Sequence, residues 1–205
     1  MFNSKLNSIP KSPTIGIVAP SSPESHEYID EKISIFENLG FKIKKGMHLY
    51  DKFGYLAGSD KNRANDLNLM FEDKEVNAIV CLRGGYGSIR MAPYLDLKKI
   101  KNNPKPFFGY SDITLLLNYI YNKCHFPTFH GPMITSDFND ISTKEYFLNI
   151  FNGYNNKIIY NLNDLCHKKY EIWNNKDFKG NIVGGNLSII CSTLGTPYKI
   201  NFNNN

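Results

Sequence analysis

No stretch of this 205-residue sequence stays apolar long enough to cross a bilayer, which takes about 20 residues in a helix. The opening Met1–Pro13 is polar and interrupted by prolines, unlike the continuous apolar core of a secretory leader. Charge of one sign is not concentrated either: 24 Lys and Arg are set against 19 Asp and Glu, and the lysines are scattered. A nucleic-acid footprint would need a basic block or stripe, so that class of partner is unsupported. Cysteine is scarce. Cys81, Cys124, Cys166 and Cys191 lie far apart with no CxxC pair, and three sit in apolar runs, which predicts reduced, buried thiols in a cytoplasmic protein. Neither the G-x-G-x-x-G nor the P-loop spacing occurs, which argues against a nucleotide site. Histidines at metal-binding spacing are also missing, because Pro127 breaks any helix between His125 and His130. Metal and cofactor are therefore not expected, and no internal repeat is visible.

What is present is a rhythm. Thr14–Pro20, Phe41–Ile43, Val76–Leu82 and Pro106–Tyr110 read as short strands, the longer ones apolar throughout. Between and after them, Tyr28–Leu39, Lys61–Phe71 and Ile113–Tyr121 carry apolar residues near helical spacing, and Gly40 supplies a stop for the first. Strand and helix alternating in this way predict an α/β fold, Rossmann- or flavodoxin-like, with a parallel sheet covered by helices on both faces. Beyond Phe138 the pattern weakens into Asn-rich stretches, and a helix is expected again over Leu187–Leu194. The predicted organisation is a flexible terminus over 1–13, an α/β domain over 14–155, a linker over 156–180 and the start of a second, truncated domain over 181–205.

Two loops could carry chemistry. Gly109-Tyr110-Ser111-Asp112 sits where a strand turns into a helix, a place that exposes a hydroxyl and aims following N–H groups at a carbonyl. The full G-x-S-x-G pattern is absent because Ile113 fills the last position, and Ser is a favoured helix N-cap, so the local pattern alone favours a cap. Arg83-Gly84-Gly85-Tyr86-Gly87 directly follows the Val76–Leu82 strand, where parallel sheets bind ligands, though a plain glycine turn fits equally well. Both loops would share one rim of the sheet. His130 could reach that rim as a base, although a lone histidine beside a strand end is more often structural.

Six segments in order resemble the LD-carboxypeptidases. They are Gly16–Ser22, Tyr55–Asp60 with Arg63 and Asp66–Asn68, Arg83–Gly87, Gly109–Asp112, His130–Pro132 and Gly184–Leu187. The resemblance implies a metal-independent serine peptidase of murein recycling that cleaves the L,D amide bond before the terminal D-Ala of murein tetrapeptides. Relatives in that family include a peptidase conferring self-immunity to microcin C, but the Arg-Gly-Gly-Tyr-Gly loop looks more like the murein branch. Carried over, it makes Ser111 the nucleophile and the backbone N–H groups of Gly85 and Asp112 the oxyanion hole, with Gly84, Tyr86 and His130 as candidates for facing the substrate. It implies a murein tetrapeptide as partner, no nucleic acid or membrane, and leaves a homodimer open. The family's catalytic Glu and His come from a carboxy-terminal domain and would lie beyond Asn205, so this chain is expected to be a truncated enzyme with little activity of its own. The competing expectation is a non-catalytic module that binds murein peptides.

Overall fold

In a computed structural model, the structure describes residues 6, 9–153, 170–173, 176–177 and 179–202. Five parallel strands, β1 (Thr14–Val18), β2 (Lys42–Lys45), β3 (Ala78–Cys81), β4 (Phe107–Gly109) and β5 (Phe129–His130), lie in the order β2-β1-β3-β4-β5. The first two helices are α1 (His26–Asn38) and α2 (Asp60–Glu72). They are followed by α3 (Ser88–Met91), α4 (Leu97–Asn102), α5 (Thr114–Cys124), α6 (Ile141–Gly153) and α7 (Leu187–Thr193).

Side chains alternate across a strand, so a sheet with two covered faces needs apolar residues at every position. β3 shows this directly. Ala78 and Val80 enter one core with Ile29, Ile33 and Phe36 of α1, whereas Ile79 and Cys81 enter the other with Leu67 and Phe71 of α2 and Leu116 of α5. The fold is thus the expected α/β sheet with helices on both faces.

Helix starts follow local chemistry. Ser25 and Ser59 cap α1 and α2, their hydroxyls accepting the N–H groups of Tyr28 at 3.3 Å and Asn62 at 3.1 Å. The weakening pattern beyond Phe138 conceals α6, whose Phe147 is fully buried and packs edge-on against Phe36 at 5.6 Å and Phe138 at 5.3 Å. The expectation for the thiols holds at Cys81 and Cys124, which are buried, and fails at Cys191, which is exposed on α7. Cys166 and most of the expected linker lie outside the described residues.

The Gly184–Leu187 segment docks on the first turn of α5. Asn118 Nδ2 donates to the Gly184 carbonyl at 2.9 Å, and the Asn186 N–H donates to Thr114 Oγ1 at 3.0 Å. Asn186 then caps α7, its side chain accepting from the Ile189 N–H. Tyr198 closes the contact, its ring edge-on to Tyr119 at 4.9 Å.

Candidate active site

The loops after β1, β3 and β4 all leave the carboxyl ends of their strands and meet at one rim, as the topology of a parallel sheet requires. Ser111 opens the turn between β4 and α5 with φ 59. A left-handed backbone costs a non-glycine residue on the order of 1–2 kcal/mol, and such strain persists where surrounding structure fixes it. The helix-cap role that the local pattern favours is not the one observed: Ile113 stands at the cap position of α5. Ser111 lies two residues earlier, half-buried.

Gly84 explains how close the β3 loop can come. A Cβ added there would lie 2.9 Å from Ser111 Cβ, 3.1 Å from its Oγ and 3.5 Å from the Asp112 nitrogen. Gly85 has φ +131, a region side chains rarely adopt, and its missing Cβ would fall 2.6 Å from Ser22 Cβ on the β1 loop. The two glycines therefore let the β1, β3 and β4 loops touch.

Asp112 fastens them. Its buried carboxylate accepts the Ser21 hydroxyl at 2.5 Å and the Ser88 N–H at 2.9 Å through the same oxygen, while its carbonyl accepts the Ser88 hydroxyl at 2.8 Å. Below, the buried Arg63 guanidinium donates to the carbonyls of Pro20 and Gly87, the latter at 3.0 Å, and pairs with Asp60. Burial pulls the Arg63 pKa down from its ordinary value, while the adjacent Asp60 carboxylate opposes that shift. Arg63, which the sequence offered only as part of a matching segment, is thus tied to the loops through side-chain hydrogen bonds.

A cavity of about 420 Å³ opens above Ser111, walled by Gly84, Gly85, Tyr110 and Tyr28. Its charged lining is Glu24 and Arg83, which pair with each other, and Met133 and Thr135 complete it. The sequence-predicted residues divide here. Ser111, Gly84 and Gly85 line this cavity, and Asp112 lies beneath it. Tyr86 points elsewhere, exposed and with its ring 5.8 Å from that of Tyr55. His130 pairs in register with Gly109 and its ring lies 6.3 Å from that of Tyr110, yet it lines a separate cavity with Asn118, Thr128 and Gly184. Glu24 is the residue sequence reasoning missed. It stands 59 positions from Arg83, and the only advance signal was its place in the loop after β1.

The LD-carboxypeptidase N-terminal domain matches residues 15–131, more than half of the chain. The chain is 39% identical to a probable murein peptide carboxypeptidase of Bacillus subtilis, over 97% of this chain and 62% of that relative. It is 32% identical to the murein tetrapeptide carboxypeptidase of Pseudomonas aeruginosa, over 59% of this chain and 39% of that one. Among solved structures, the microcin C7 self-immunity protein in complex with aspartyl sulfamoyl adenosine superposes with a TM-score of 0.79 at 25% identity, covering 97% of this chain and 68% of that one. The chain spans less than two thirds of the length of these two carboxypeptidases. By that match and by the loops that meet at Ser111, the chain belongs to the LD-carboxypeptidase family.

Proposed function

We propose that this chain supplies the nucleophile and oxyanion hole of a serine carboxypeptidase that releases terminal D-Ala from murein tetrapeptides in the cytoplasm. The observation that carries the reading is Ser111 itself: a strained residue at a strand-to-helix turn, in a cavity, pressed against a glycine loop. Ser111 Oγ attacks the carbonyl before D-Ala and loses its proton to a base. The tetrahedral oxyanion is met by the N–H groups of Asp112 and Gly85, each such donor lowering the barrier by about 3–4 kcal/mol. The intermediate expels D-Ala, whose nitrogen takes up a proton, and water then hydrolyses the acyl-serine.

Among the described residues, no histidine lines the Ser111 cavity, and the carboxylate there, Glu24, is engaged by Arg83. Without a base the hydroxyl stays weakly nucleophilic, so this polypeptide is expected to bind the tetrapeptide and turn it over slowly. The same observation favours a second reading, a murein-peptide-binding module without catalysis. Incubating the purified chain with murein tetrapeptide and with a fluorophosphonate separates them. Slow D-Ala release and slow labelling, both abolished in Ser111→Ala, support the nucleophile; peptide binding with no labelling at all supports the module. Release that persists undiminished in Ser111→Ala would rule out the assignment of Ser111.

A further inference from the structure

Arg83 is the cationic group in the Ser111 cavity, and its one partner among the described residues is Glu24. We propose that the Arg83 guanidinium is the anchor for the substrate's terminal α-carboxylate, an assignment that rests on the reading of Ser111 given above.

The argument begins with what an exopeptidase must recognise. In a peptide cleaved before its last residue, the terminal carboxylate stands three bonds from the scissile carbonyl carbon. Whatever binds it has to share the nucleophile's cavity. Arg83 does so by two routes: its side chain lines that cavity, and its chain neighbour Gly84 lies against Ser111. The remaining lining residues are uncharged side chains or glycines, apart from Glu24, whose sign is wrong for the purpose.

The chemistry of the group fits. A guanidinium carries five N–H donors in a planar fork that matches a carboxylate in two-point fashion. Glu24 accepts from Nη1, and other donors of the fork are available for a second carboxylate. As a fold-stabilising contact the pair is poorly placed, because the two side chains are 38% and 26% exposed and ion pairs that meet water contribute little to stability. In a cavity built for a peptide end, the same pair keeps a rotamer-rich cation held at the wall before the ligand arrives, which lowers the ordering cost of binding.

The test compares two ligands that differ only at the group in question. Titrating the Ser111→Ala chain calorimetrically with murein tetrapeptide and with its C-terminal carboxamide should show the acid binding at least about tenfold tighter, in line with the worth of a charge-assisted hydrogen bond. Arg83→Gln should bring the acid down to the affinity of the amide while leaving the amide unchanged. Arg83→Lys should retain part of the preference, since it keeps the charge and loses the fork. Equal affinity for acid and amide in the chain with native Arg83 overturns the assignment without any change at position 83. So does an Arg83→Gln chain, folded by circular dichroism, that loses both ligands in equal measure. If peptides bind without a carboxylate preference, only the Arg83 assignment falls. If neither peptide binds, the reading of the Ser111 cavity falls with it.

Discussion

Two aspartates among the described residues are buried, and they are satisfied very differently. Asp112 accepts two hydrogen bonds on one carboxylate oxygen, and those bonds join the β1 and β3 loops to the turn that carries Ser111. Asp66, on α2, accepts the His48 N–H at 2.8 Å from the turn after β2, while its other oxygen is buried without a partner. Burial raises the Asp66 pKa above its usual value. The contrast teaches that burial of a carboxylate is not itself a mark of function: Asp112 is placed where three loops converge on Ser111, the proposed nucleophile, whereas Asp66 holds the turn after β2.

The comparison can be broken most forcefully at Asp112. Asp112→Ala leaves the Ser21 hydroxyl and the Ser88 N–H buried and unpaired, and unpaired groups of this kind together cost about 3 kcal/mol. Urea unfolding should show that loss together with abolished fluorophosphonate labelling of Ser111; normal labelling would mean the three loops hold together without the carboxylate. Next in size is Gly84→Ala, whose methyl must displace Ser111 by a few tenths of an ångström or more. Labelling should fall about a hundredfold, while stability changes by about 1 kcal/mol. A variant that labels at the native rate would show that the loop yields without moving the serine.

The smallest effect sharpens the other side. Because folding raises the Asp66 pKa, the native state holds a proton that the unfolded state has lost between the ordinary carboxylate value and the raised one. The Asp66 contribution to stability therefore declines as pH rises through the folded value and improves as pH falls toward the unfolded one. Asp66→Asn removes that titration. The stability of the Asn variant relative to the native chain should be more favourable at pH 7 than at pH 4, measured by urea titrations at both. An unchanged difference would show that folding leaves the Asp66 pKa where it stands in the unfolded chain.

Much of the fold was legible because its central strands are covered on both faces. Ile15–Val18 and Ala78–Cys81 have no solvent side and read as continuous apolar runs, and Gly40 marks the end of α1. β5 was not legible: two residues between Pro127 and Pro132 carry no period, and only its pairing with β4 makes Phe129–His130 a strand. α6 was hidden for a related reason, since Phe147 and Phe151 gain their meaning from rings on α1 and β4 that lie far away in sequence. At the site, the turn after β4 and the glycines after β3 could be read as neighbours on one rim. The left-handed backbone of Ser111, the placing of His130 in a different cavity, and the pairing of Glu24 with Arg83 all depend on three-dimensional closure that no local spacing encodes.

The fork of Arg63 has a consequence for how such a chain can vary. One guanidinium grips the carbonyl of Pro20 and that of Gly87, 67 positions apart along the backbone, so neither segment can shift its path without releasing the other. A one-residue insertion or deletion beside Pro20 or Gly87 would therefore be felt in both loops at once.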